Sequence, residues 1–205
     1  MNVPLLDLNP QLAQLRPQIM EAVTRVVDST GYILGREVSD LEERIAAYCG
    51  AACGIGVSSG TDALLVSLMS LDIGPGDLVL TTPYTFFATM GTVLRVGARP
   101  VFVDVEADSL NMDPERMAEA LAADRKNGAR IKAVIPVHLY GQCADMDRIG
   151  RLAGEYGVPG IEDAAQAIGA EYPSMDGGTV TWKRAGSMGL SGCFSFFPSK
   201  NLGGI

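Results

Sequence analysis

Lys200 lies in the run Ser195-Phe-Phe-Pro-Ser-Lys-Asn-Leu-Gly203, just after an expected apolar strand at Cys193–Phe197. An amine desolvated by such a stretch loses proton affinity and keeps its lone pair free, as a lysine that forms a Schiff base must. Most lysines are solvated surface charges, so the residue alone proves little. A second segment, Ile161-Glu-Asp163-Ala-Ala-Gln166, offers an acid for the ring nitrogen of a cofactor. Together the two segments point to pyridoxal 5′-phosphate chemistry.

A third segment, Gly54-Ile-Gly56-Val-Ser-Ser-Gly60-Thr61, is rich in small residues. A strand ending at Val57 delivers Ser58–Thr61 to the start of a helix, where free N–H groups and the helix dipole favour an anion. Simple helix capping by Ser59 or Thr61 is the competing reading. A dinucleotide fingerprint fits poorly, because the spacing is GxGxxxG and its first glycines fall within the strand. In Pro83-Tyr-Thr-Phe86-Phe87-Ala-Thr89, an aromatic pair follows a strand; one ring is placed to stack on a planar cofactor and the other to pack in the core. His138, the single histidine, also follows a strand; it invites a catalytic role, but a supporting hydrogen bond is the favoured reading.

The elements that must position these residues alternate regularly. Apolar stretches at Cys53–Val57, Leu78–Thr82, Val101–Val105, Ile131–Pro136 and Val158–Glu162 read as strands. Helical patterns fall between them at Asp62–Leu71, Phe86–Val96, Pro114–Ala123 and Asp145–Tyr156. This rhythm predicts βαβ units and a mainly parallel sheet flanked by helices. Upstream, Val38, Leu41, Ile45 and Tyr48 recur at helical spacing, and Pro17 is placed to open a helix running to Asp28. Tyr172–Ser187 reads as a surface excursion.

The 205 residues suit one ordinary domain with a sizeable core, and a composition of 47% hydrophobic and 20% charged residues is that of a globular chain. A net charge of −8 with no basic stripe argues against nucleic-acid binding. Any anionic ligand is therefore held by local dipoles and a few placed cations. Cys49, Cys53, Cys143 and Cys193 show no zinc spacing, and one histidine leaves little for a metal site. Scattered thiols and the lack of a signal-peptide pattern point to the cytoplasm. No membrane span is expected, since a run of about eighteen apolar residues is missing.

The segments Pro4-Leu-Leu-Asp7, Tyr32-Ile-Leu-Gly35, Ser58-Ser-Gly-Thr-Asp62-Ala63, Pro136-Val-His-Leu-Tyr-Gly141, Glu162-Asp-Ala-Ala-Gln166 and Ser195 through Gly203 together carry a resemblance. The chain resembles the DegT/DnrJ/EryC1/StrS family of nucleotide-sugar aminotransferases, of fold-type I, over essentially its whole length. The resemblance implies an N-terminal arm plus a pyridoxal 5′-phosphate-binding large domain over residues 1–205, with the small C-terminal domain missing. It implies that Lys200 forms the Schiff base and shuttles protons, and that Asp163 pairs with the ring nitrogen. Gln166 falls by the phenolic oxygen, Gly60, Thr61 and Ser195 hold the phosphate, and Phe86 stacks on the ring. A pyridinium opposite Asp163 is expected to depress its pKa. The implied activity is transfer of an amino group, with glutamate as donor, to a ketosugar on a nucleotide, by a homodimer. Leu190 stands where the family commonly has aspartate. Two rivals are a sugar dehydratase of the same family, which has histidine at the lysine position, and a non-catalytic regulatory protein that keeps the fold.

Overall fold

The computed structural model describes residues 3–204. In chain order the elements are α1 (Asn9–Ser29), α2 (Arg36–Cys49), α3 (Gly60–Ser70), β1 (Leu78–Thr81), α4 (Phe87–Arg95), β2 (Arg99–Phe102) and α5 (Pro114–Lys126). They continue with β3 (Ile131–Ile135), a single 3-10 turn at Leu139–Gly141, α6 (Met146–Tyr156), β4 (Ile161–Asp163), β5 (Glu171–Asp176), β6 (Thr179–Arg184) and β7 (Ser191–Cys193). Contacts gather the chain into two units. One holds the residues up to Ala47 with Ala52–Gly56, and the other holds Tyr48–Ala51 with everything from Val57 on.

In the larger unit β1 lies between β2 and β3, all parallel, with Leu80 opposite Val101 and Val134. Single parallel bridges, Val134 with Gly160 and Val137 with Asp163, join β3 to the start and end of β4. β7 runs parallel on the far side of β4, with Asp163 opposite Cys193. The order β2-β1-β3-β4-β7 therefore presents five carboxyl ends along one edge.

Alternation along each strand sends side chains to opposite faces. Leu78, Leu80 and Val134 pack with Met117, Leu121 and Ile149 from α5 and α6. Val79, Ala133 and Ile135 pack with Leu64, Leu68 and Val93 from α3 and α4. All four residues of β1 are buried, as a strand covered by helices on both faces requires. Each fully buried aliphatic side chain contributes about 1.5–3 kcal/mol.

Local chemistry sets the helix ends. Asp113 accepts the N–H groups of Glu115 and Arg116 and precedes Pro114, while Arg125 and Lys126 occupy the last turn of α5. Asp145 caps α6, which closes at Gly157 in the left-handed region, φ 67°. Tyr172–Ser187, the expected excursion, is largely the antiparallel hairpin β5–β6, turned by Gly177 and Gly178 at φ 55° and 86°.

Several boundaries differ from expectation: the strand expected at Cys193–Phe197 forms instead at Ser191–Cys193, and α5 runs three residues past Ala123 to Lys126. No strand forms at Cys53–Val57: the Gly56 N–H donates to Glu42 Oε1 at 2.6 Å, so the backbone is satisfied by a side chain from α2 instead of a sheet neighbour. Pro17 does not open a helix but lies inside α1, where Pro10 takes the first-turn position. β2 begins at Arg99 and ends at Phe102, two to three residues before the expected Val101–Val105. β4 is shorter and later than Val158–Glu162 and includes Asp163 itself.

Candidate active site

Asp163 ends β4 on the carboxyl edge of the sheet and is 6% exposed. Ligand sites in open parallel sheets form along this edge. Thr89 Oγ1 donates to Asp163 Oδ2 at 2.7 Å, and the Ala165 N–H reaches Oδ1 at 3.3 Å. Burial pushes the Asp163 carboxyl above its ordinary value; Thr89, the Ala165 N–H and the Lys200 charge oppose that push without cancelling it. The expected depression is thus not supplied by the protein alone. A low dielectric disfavours the carboxylate, and a cation brought to it acts in the opposite direction.

Lys200 follows the turn after β7, its N–H donating to the Phe197 carbonyl at 2.7 Å. Its side chain is partly buried. Desolvation is the main influence and lowers its pKa, while the Asp163 carboxylate pulls the other way. Acid and amine act on one another across the site, and burial prevails for both.

The start of α3 meets the chain beyond β7. A methyl group built on Gly60 would lie 2.7 Å from Ser195 Cβ and 3.1 Å from the Phe194 carbonyl oxygen, so this approach needs glycine. Gly60, Thr61 and Ser195 are therefore neighbours at a helix N-terminus. Ser59 is the N-cap, accepting the Asp62 N–H at 3.1 Å, so capping and a free helix start occur together. The Ser58 hydroxyl donates to Asp62, whose carboxylate also lies 3.7 Å from Arg95.

Gln166 Oε1 accepts the N–H of Tyr140, a residue held at φ 56°, at 3.0 Å. Phe86 occupies the N-cap position of α4 and is 68% exposed, and Phe87 is 67% exposed. The expectation that one of the pair packs in the core fails. The buried face of α4 consists of Ala88, Thr89, Gly91, Thr92 and Val93, small side chains that lie close against the sheet, and Phe87 folds over Gly91.

Two residues escaped the sequence reading. Thr89 is one; nothing local marks it as a partner of an aspartate 74 positions away. Glu162 is the other, fully buried and accepting from His138 Nε2 at 2.9 Å and from the N–H groups of Gly186, Met188 and Gly189 at 2.6–2.7 Å. His138 Nδ1 accepts the Ala144 N–H at 3.2 Å, which places the ring proton on Nε2 and makes His138 the donor to Glu162. Desolvation is the largest single influence on Glu162 and raises its pKa, but the His138 bond and the backbone donors outweigh it and hold the group below the usual range. A charge inside a buried strand was the available signal, since such a charge demands partners. Leu190 is exposed, and its N–H bonds to the Gly160 carbonyl at 2.8 Å, so the turn is held by backbone and Glu162 without an aspartate there. A separate polar hollow of about 230 Å³, lined by Asp147, Arg151 and Lys183 among others, includes none of these residues.

The model of the DegT/DnrJ/EryC1/StrS aminotransferase family matches residues 13–204. A pleiotropic regulatory protein of Geobacillus stearothermophilus is 47% identical over 203 residues, covering 99% of this chain and 51% of that protein. The UDP-2-acetamido-2-deoxy-3-oxo-D-glucuronate aminotransferase of Pseudomonas aeruginosa is 43% identical, over 98% of this chain and 52% of its own length. A crystal structure of a DegT DnrJ EryC1 StrS aminotransferase from Brucella abortus superposes with a TM-score of 0.92 at 40% identity, covering 100% of this chain and 53% of that one. The chain spans about half the length of these relatives. Pyridoxal 5′-phosphate is the cofactor of the family, and the α/β architecture described above is the part of its fold that this chain supplies. By sequence and by structure, the chain belongs to the DegT/DnrJ/EryC1/StrS aminotransferase family.

Proposed function

We propose that this chain is the N-terminal arm and pyridoxal 5′-phosphate-binding large domain of a nucleotide-sugar aminotransferase. One observation carries the reading: β4 ends in the buried Asp163 at the carboxyl edge of the sheet, and the parallel β7 beside it leads the chain on from that edge to the partly buried Lys200. The other residues fit the cofactor. The Gly60–Ser195 contact supports a phosphate cradle built from the α3 N-terminus, the Thr61 hydroxyl and Ser195. The buried carboxylate, pushed toward protonation in the protein alone, suits an opposing ring cation. Phe86, exposed beside the site at the start of α4, offers a ring face, and Gln166 offers an amide for the phenolic oxygen.

Bound there, pyridoxal 5′-phosphate supplies an electron sink for exchanging an amino group between two carbon skeletons. Lys200 would hold the resting cofactor covalently and, once an incoming amine has displaced it, its freed amine would move protons between carbon atoms, while Asp163 would keep the ring nitrogen charged. The substrate class, a ketosugar on a nucleotide, is supported by the name of the Pseudomonas relative. Glutamate as amino donor, a homodimeric assembly and a cytoplasmic location complete the proposal on the strength of the family resemblance. Among the described residues no helix is long and apolar enough to cross a membrane.

A second reading has a specific support. The relative that is 47% identical is named for regulation, so a ligand-binding regulator on this fold is the alternative. Lys200 weighs against the dehydratase, and amino transfer itself separates the aminotransferase from the regulator. Borohydride treatment of the protein with pyridoxal 5′-phosphate should fix the cofactor to Lys200, and Lys200→Ala should abolish both this fixation and amino transfer. Amino transfer at an unchanged rate in that variant would overturn the assignment. Fixation to Lys200 without turnover of any nucleotide ketosugar would favour the regulator.

A further inference from the structure

Asp163 is held from α4 by one hydroxyl that the cofactor assignment leaves unused, backed by a second just before the helix. Thr89 is fully buried with Oγ1 2.7 Å from Asp163 Oδ2, and the partly buried Thr85, one turn earlier in the chain, lies with its Oγ1 2.7 Å from that of Thr89. An ionised carboxylate only accepts, so Thr89 gives its one hydroxyl hydrogen to Asp163. Thr89 then has nothing left to donate to Thr85, and Thr85 must be the donor in their bond. The Thr92 hydroxyl adds a bond to the Thr89 carbonyl at 3.2 Å, which ties down the turn that bears the relay. Two hydroxyls thus point head to tail at a single carboxylate oxygen, and each polarises the next.

We propose that Thr89, oriented by Thr85, is the positioning residue for Asp163: it engages Oδ2, fixes the carboxylate plane and leaves Oδ1 as the oxygen free to meet the cofactor ring nitrogen. Oδ1 is the less occupied of the two, with only the Ala165 N–H at 3.3 Å. The assignment to the ring nitrogen rests on the cofactor reading given above, whereas the hydroxyl relay stands on its own distances. A charge-assisted bond of this kind favours the ionised acid against its burial. The other groups around Asp163 are accounted for. Lys200 favours its ionised form, Glu162 beside it in the strand is engaged by His138, and the Cys193 thiol opposite on β7 is pushed up to about 12 by burial and stays neutral.

The test compares Thr89→Val, which keeps the shape and removes the hydroxyl, with Thr89→Ser, which keeps the hydroxyl, and with Thr85→Val. Carbon-13 NMR titration of the Asp163 carboxyl in cofactor-free protein is the primary readout. Thr89→Val should raise its pKa by about one pH unit, the typical worth of one charge-assisted hydrogen bond. Thr89→Ser should stay near wild type, and Thr85→Val should shift in the same direction by less. Binding of pyridoxal 5′-phosphate, followed by fluorescence, should weaken about tenfold in Thr89→Val and recover in Thr89→Ser, in proportion to the lost proton selectivity. An unshifted titration in Thr89→Val, or an equal shift in Thr89→Ser, overturns the proposal. If Thr89→Val does not fold, Thr85→Val decides, and an unchanged Asp163 value there overturns it. Wild-type protein that fails to bind pyridoxal 5′-phosphate sinks the cofactor reading instead, and the titration then judges the threonine relay alone.

Discussion

Gly60, the first residue of α3, stands so close to Ser195 that a single methyl group on it would come within 2.7 Å of the Ser195 Cβ. Residues far apart in the chain thereby become the two sides of one helix start. The approach depends on β7 running parallel to β4 and delivering the following segment to the same edge of the sheet as α3.

Gly60→Ala tests this contact. The added methyl group meets a side-chain carbon and the Phe194 carbonyl, and overpacking of this kind costs about 1–3 kcal/mol. Urea denaturation should register that loss. Competition between pyridoxal 5′-phosphate and pyridoxal should show a reduced preference for the phosphorylated form, because the cradle is forced apart. Unchanged stability together with unchanged preference would contradict the packing described.

Glu162 predicts an acid limb in the stability profile. Its folded pKa lies below its unfolded value, so its contribution is complete above about 4.3 and is lost as pH falls through the folded value. Glu162→Gln should be less stable than wild type at neutral pH by about 1–3 kcal/mol, since an amide cannot satisfy the four donors. Its stability should also fall less steeply in acid. Thermal unfolding between pH 3 and pH 7 (a range of roughly four units chosen to bracket the carboxylate values) checks both slopes, and parallel profiles for the two proteins would count against the role.

Asp163 predicts the opposite sign. Its folded value lies above the unfolded one, so it takes up protons on folding, disfavours the fold above that window and ceases to do so as pH falls through it. Asp163→Asn should therefore raise the melting temperature of cofactor-free protein at neutral pH, by about 2–4 °C for each kcal/mol of desolvation relieved. The gain should vanish in acid. Amino transfer should meanwhile fall by orders of magnitude, because a neutral amide does not hold a ring nitrogen in its charged form. A variant less stable than wild type at every pH would refute the burial argument.

Leu68, fully buried between α3 and the sheet, tests the layer that holds the helix start. Leu68→Ala should cost about 2–5 kcal/mol, against within about 0.5 kcal/mol for Leu190→Ala at an exposed turn. Chemical denaturation of both variants measures the contrast, and equal losses would mean that α3 is not packed as described.

Short-range chemistry was legible in the sequence. The helix starts expected at Pro114 and Asp145 lie within a residue of those observed, because a start is set by proline and by caps that bond only to N–H groups two or three residues away. The apolar runs at β1 and β3 announced buried parallel strands because both of their faces must be dry. The types of Lys200, Asp163, Gly60 and Ser195 pointed to a pyridoxal 5′-phosphate site and to the family before any coordinates. What the sequence left open were distances between segments. Cys53–Val57 has the composition of a strand, yet the Glu42 side chain meets its backbone and no sheet neighbour does. The Thr89 bond to Asp163, the four donors around Glu162 and the approach of Gly60 to Ser195 join residues 24 to 135 positions apart. Local propensity carries no information about such pairs, because each exists only once the strands have taken their order in the sheet.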